Sequence, residues 1–113
     1  MTKKETESNP TKKPWPTKAV MEQVYEKKLW GGQHADFYSG EGSHLPKMVL
    51  PYIDVVSSFL NSIEQPVTVC DLGCGDFNVG KDLVKHTKMY VAVDIVPGLI
   101  DRNRQTFTAE NLS

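Results

Sequence analysis

The sequence predicts an α/β fold in which helices come first and a parallel sheet follows, built from a strand, helix, strand, helix run. Two short apolar, β-branched runs, "VTVCDL" at 67–72 and "MYVAVDIV" at 89–96, have the character of buried parallel strands. The first leads into a turn with glycines one residue apart, Gly73 and Gly75, and helical patterns follow both runs. That order implies a right-handed crossover and a parallel pair.

Composition narrows the class. A chain of 113 residues suits one small domain, and 39% hydrophobic residues with a formal charge of -1 describe an ordinary soluble protein. This balance argues against a nucleic-acid or membrane binder. No apolar stretch approaches the roughly 18 to 20 residues that span a bilayer, and the lysine-rich start lacks the apolar segment of a secretory signal. A cytoplasmic location is the expectation. Cys70 and Cys74 have the spacing of neither a disulfide framework nor a zinc site, so both read as reduced thiols. His34, His44 and His86 are scattered without ligand spacing, and no metal site is expected.

Along the chain, residues 1–16 are charged, polar and proline-containing, with too little apolar surface to offset the entropy of ordering; a flexible tail is expected. Residues 17–65 form an N-terminal helical segment with a glycine-rich loop. Val20, Met21, Val24, Tyr25 and Leu29 recur at three- and four-residue intervals, with Thr17 as N-cap and Gly31-Gly32 as the stop. The loop "GGQHADFYSGEGS" (31–43) should approach something closely or move. A second helix after Ser43, its expected cap, carries Leu45, Met48, Val49, Tyr52, Ile53, Val56, Phe59 and Leu60 on one broad face. Pro51 either kinks that helix or begins a new one. Residues 66–113 hold the two strands, a helix over "NVGKDLVKH" with Val79, Leu83 and Val84 inward, and a last helix beginning near Pro97 that carries an apolar pair, Leu99 and Ile100.

A glycine-rich turn leaving a strand usually cradles a ligand, and three fit the architecture. Gly75 to Lys81 matches the phosphate-binding pattern G-x-x-x-x-G-K, but the next residue, which should be a magnesium-binding hydroxyl, is Asp82. The dinucleotide pattern G-x-G-x-x-G fails at Asn78, and Asp71 and Asp76 would face a pyrophosphate. S-adenosylmethionine reverses the charge argument. It carries an ammonium, a sulfonium and a ribose with free hydroxyls, so carboxylates become partners. Asp94, at the end of the second run and about twenty residues beyond the glycines, stands where an acid meets ribose hydroxyls in such sheets.

"VCDLGCGDFNVG" followed by "YVAVDIVPGLIDRN" resembles the first two motifs of class I S-adenosylmethionine-dependent methyltransferases, over residues 67–107. The resemblance implies a Rossmann-like parallel sheet, of which this chain holds the first βαβα portion. It implies that Asp71 binds the amino-acid end of the cofactor, that Gly73, Cys74 and Gly75 form the close-approach turn, that Asp94 holds the ribose, and that Ile95 packs on adenine. The family often has a further glycine where this sequence has Phe77. "WGG" and "SGEGSH" resemble, more loosely, the N-terminal region of small-molecule members, which places Gly40, Gly42, Ser43 and His44 as candidates to touch cofactor or substrate.

The family's sheet has seven strands, so the expectation is an N-terminal methyltransferase portion lacking the substrate-binding half, with a small-molecule methyl acceptor and no assigned catalytic residue. His44 is the only candidate base. Two alternatives stand beside it. One is a non-catalytic module whose open sheet edge, expected after strand 89–96, is covered by a partner chain; the other is another adenosine-nucleotide-binding α/β protein.

Overall fold

The computed structural model describes residues 17–33 and 36–113; the expected tail at 1–16 and His34 lie outside them. The chain is α/β, with helices α1 (Thr17–Glu26), α2 (Pro46–Ser62) and α3 (Pro97–Thr106) and strands β1 (Thr68–Leu72) and β2 (Met89–Val93). The strands pair in parallel, Thr68 opposite Met89 through Leu72 opposite Val93.

Helix α1 ends earlier than its glycines suggest. Lys28 takes the left-handed conformation at φ 54°, Leu29 N donates to Val24 O at 2.9 Å and Lys28 N to Tyr25 O at 3.2 Å. This is a Schellman stop made with lysine. In α2, Pro46 occupies the first turn, and Leu45 is an N-cap with no side-chain bond, so Ser43 does not cap the helix. Instead Ser43 Oγ donates to Gly40 O at 3.1 Å. Pro51 lies inside one continuous α2, on an exposed position that leaves the lost carbonyl bond on the solvent side. The broad apolar face of α2 divides. Val49, Ile53, Val56 and Leu60 turn inward, while Met48, Tyr52 and Phe59 stay exposed.

No α-helix forms over 78–86. Two 3-10 turns, Gly80–Asp82 and Val84–His86, stand in its place. A mid-helix glycine is unfavourable by about 1 kcal/mol, and valines add further resistance. Tertiary packing uses the glycine differently: a Cβ on Gly80 would lie 2.5 Å from the Phe77 ring and 3.0 Å from Tyr90 Oη. The tighter turns let backbone settle against those rings.

Phe77, Leu83, Val84 and Tyr90 form the larger core beneath the sheet, and Tyr25, Val96 and Leu99 a smaller one joining α1 to α3. Phe77 is 2% exposed and lies at φ 67°, a left-handed conformation that is rare for a bulky residue. The residue standing where the resembled family often has glycine therefore takes a glycine-like backbone. Its ring meets Tyr90 at 5.6 Å and Phe107 at 5.3 Å, edge to face in both cases.

The outer edge of β2 is not open. Tyr90 N donates to Asn111 O at 2.7 Å, Ser113 N to Tyr90 O at 2.8 Å and Ala92 N to Ser113 O at 2.9 Å, a parallel bridge made by the chain itself. Among the described residues nothing covers the opposite sheet face: Cys70, Met89, Val93 and Leu72, the last 78% exposed, point away from the core.

Truncating Phe77 to alanine removes a fully packed ring and leaves a residue with a Cβ in the same left-handed backbone. Urea denaturation should show a destabilisation of about 3 kcal/mol. A variant as stable as the parent would mean that the ring does not hold this core.

Candidate functional site

The site lies where β1 and β2 end, around a glycine turn whose shape is held by hydrogen bonds to the end of β2. Val93 O, at the end of β2, accepts from both Gly73 N (2.8 Å) and Cys74 N (2.9 Å). Gly75 N then donates to Asp94 Oδ2 at 3.0 Å, and Val96 N to Asp94 Oδ1 at 3.1 Å. Gly73 and Gly75 have φ of 82° and 59°, left-handed conformations that favour glycine. From below, Asn103 Nδ2 donates to Gly75 O at 2.8 Å and Arg102 Nη1 to Asp76 O at 2.9 Å, both from α3.

The 36–44 loop docks on this turn. Asp76, 3% exposed, accepts from Ser39 N at 3.0 Å, from Asn78 N at 3.1 Å and from His44 Nε2. Asp76 N donates to Ser39 Oγ at 2.7 Å, and Ser39 Oγ is hydrogen-bonded to Tyr25 Oη at 2.8 Å. Asn78 Nδ2 donates to Ser43 O at 2.7 Å. Tyr38 stacks on His44, ring centroids 4.3 Å apart, and Arg102 Nε donates to Asp36 Oδ2 at 3.1 Å. Desolvation pushes the Asp36 carboxyl up, but the bonds from Phe37 N and Arg102 outweigh it and hold the group below its usual range.

A cleft of about 630 Å³ opens over the turn, within the size range of small-molecule sites. Asp71, Gly73, Cys74, Gly75 and Asp94, all singled out in the sequence, line it together, and so do Gly42 and Ser43. Asp76 adds a third carboxylate. Among the described residues no lysine, arginine or histidine lines it. Lys81, the residue that suggested a phosphate cradle, pairs with Asp82 at 2.8 Å outside the cleft. His44 and Gly40 do not line it, and neither does Ile95, which is exposed. The Asp94–Val96 bond turns the chain so that Val96 goes inside and Ile95 outside.

Tyr25, Ser39, Tyr90, Arg102 and Asn103 also build the site, and their roles depend on distant partners. Tyr90 Oη donates to Asp71 Oδ2 at 2.7 Å, leaving Oδ1 for another donor. Burial, and then this bond to Asp71, pushes the Tyr90 phenol far above its usual range. Tyr25 is raised by burial as well, with Ser39 opposing and Asp94 and Asp76 reinforcing. The Cys74 thiol is pushed up to about 12, by burial first and then by the Asp94 and Asp71 carboxylates. The cleft thus has a negative potential. A smaller cavity, about 260 Å³, opens between α3 and residues 108–113 and contains none of these carboxylates.

Among the described residues, no group of three or more His, Cys, Asp or Glu side chains could hold a metal ion, and no helix is long and apolar enough to cross a membrane. No family model, curated protein or solved structure matches the chain.

Two expectations follow. Gly75→Ala would set its Cβ 2.4 Å from Ser39 Oγ, whereas nothing lies within 4 Å of a Cβ on Gly73. Chemical denaturation should show Gly73→Ala losing about 1 kcal/mol for its left-handed backbone, and Gly75→Ala losing clearly more. Alkylation by iodoacetamide at neutral pH should modify exposed Cys70 and leave half-buried Cys74, whose thiol stays protonated there, largely unreacted. Asp94→Asn removes a negative charge, so Cys74 should then react at a lower pH than in the parent, as peptide mass mapping would reveal.

Proposed function

We propose that this chain binds S-adenosylmethionine at the ends of its two strands and is the cofactor-binding part of a methyltransferase acting on a small molecule. The observation that carries this reading is the lining of the cleft, which has three carboxylates, Asp71, Asp76 and Asp94, and no cationic side chain among the described residues. Such a site favours a ligand carrying ammonium and sulfonium charge and penalises the phosphates of a nucleoside triphosphate or dinucleotide.

The residues suit the group. Asp71 keeps Oδ1 for an ammonium, with Tyr90 fixing the carboxylate from the other oxygen. Asp94 is oriented by Gly75 N and Val96 N, and each oxygen retains acceptor capacity for ribose hydroxyls. At Gly73 the backbone is open to the cleft, with nothing within 4 Å of where a Cβ would stand. When bound, the cofactor supplies a methyl made electrophilic by its sulfonium. Tyr25, Tyr90 and Cys74 keep their protons at neutral pH, so none of them serves as a general base. What the chain's residues contribute is orientation, and alignment of nucleophile and methyl is the main lever on the rate of such a transfer.

Among the described residues, the sheet face left exposed and the outer edge of β1 left unpaired favour a second reading, a non-catalytic module completed by a partner chain. Sedimentation decides its premise, since a chain that stays folded and monomeric alone has no need of that partner.

Titration calorimetry with S-adenosylhomocysteine, ATP and NAD tests the main reading. S-adenosylhomocysteine should bind, and Asp94→Ala should weaken it by about 10- to 100-fold, the worth of a charge-assisted hydrogen bond. Binding of ATP with no response to S-adenosylhomocysteine would overturn it.

A further inference from the structure

The acidic turn accounts for only part of the cleft. The rest of its wall comes from the N-terminal helices: Met21, Tyr25 and Trp30 from α1 and the turn after it, Met48 and Tyr52 from α2. Trp30, Met48 and Tyr52 are 43%, 53% and 57% exposed, so packing within the chain does not account for their positions. Other apolar side chains, Val55 and Phe59 among them, are exposed elsewhere on α2, and exposure alone carries no argument. Trp30, Met48 and Tyr52 differ because they converge on a cavity that also holds carboxylates. Trp30 is braced edge to face against Tyr25 at 5.7 Å, and Tyr25 is tied through Ser39 to the backbone of Asp76. The aromatic wall and the acidic turn are thereby physically joined.

Resting on the reading of the turn as the cofactor site, we infer that this aromatic and thioether wall is the acceptor subsite, and that it takes a flat aromatic molecule that is neutral or positively charged. Indole and phenol faces with neighbouring sulfurs attract aromatic rings and, through their negative faces, cations. Asp71 and Asp94 add to that attraction for a cation, whereas the Asp76 carboxylate is buried and already bonded to Ser39, Asn78 and His44. An anionic acceptor meets the same carboxylates with no lysine, arginine or histidine among the described lining residues to offset them. The cleft therefore selects by repulsion as well as by contact.

Matched bicyclic probes test this on the intact chain: N-methylquinolinium as cation, 2-naphthylmethanol as neutral molecule and 2-naphthoate as anion. Binding is followed by calorimetry and by nitrogen-edited NMR, with and without saturating S-adenosylhomocysteine. The cation and the neutral probe should bind in both conditions and shift the Trp30 indole signal, with naphthoate at least tenfold weaker. Trp30→Ala and Tyr52→Ala, both at exposed positions, should each weaken the neutral probe several-fold and change S-adenosylhomocysteine affinity far less than Asp94→Ala does.

Naphthoate binding as tightly as the neutral probe would overturn the inference. So would naphthyl binding that ignores both substitutions, or displacement of the probes by S-adenosylhomocysteine. Failure of the two readings is distinguishable. If S-adenosylhomocysteine does not bind while the probes bind in the stated charge order at Trp30, the cofactor reading fails and the aromatic wall stands as a binding site. If S-adenosylhomocysteine binds through Asp94 and the probes do not bind, the acceptor subsite alone fails.

Discussion

A carboxylate withdrawn from water must find its donors inside the protein, and Asp76, 3% exposed, finds them on two separate stretches of chain. Its side chain takes hydrogen bonds from Ser39 N and His44 in the loop before the sheet, and from Asn78 N in the turn after β1. Its backbone adds Ser39 Oγ on one side and Arg102 of α3 on the other. Loop, glycine turn and last helix are positioned by one residue. Each bond is modest, but leaving a buried charge short of donors costs several kcal/mol, which ties the loop to the turn.

That constraint gives the cleft its character. With the loop held down, Ser39 and Ser43 form one wall, the strand-end acids form the floor, and α1 and α2 supply the aromatic side. The Cys74 thiol, half-buried in the turn, is pushed up to about 12, first by burial and then by Asp94 and Asp71. Arg102 reaches the turn at the Asp76 carbonyl from beneath and does not line the cleft. The electrostatics of the site and its geometry have the same origin.

How much of this could be read from sequence depended on the range of the interactions. The strands were legible because β-branched runs at 67–72 and 89–96 carry their own signal, and the observed Thr68–Leu72 and Met89–Val93 fall within them. Asp71, the two glycines and Asp94 were legible as a cluster because the topology of a parallel pair brings strand ends together. The helix expected at 78–86 was not, since its 3.6-residue apolar pattern is overridden by Gly80 packing on Phe77 and Tyr90. The loop's docking was hidden too. Ser39 and His44 meet Asp76 across 37 and 32 residues, and no local propensity encodes such bonds. Likewise Asn111–Ser113 carries no strand signal of its own and takes its extended form from the waiting edge of β2.

The most direct test of the central claim, that the strand-end carboxylates make this a site for a cationic adenosine ligand, is an amide NMR titration of the chain with S-adenosylmethionine and with ATP. Shifts are expected at Gly73, Gly75, Asp94 and Val96 with S-adenosylmethionine, and none there with ATP. Shifts at Gly80 and Lys81 with ATP, and no response at the strand ends to S-adenosylmethionine, would contradict it.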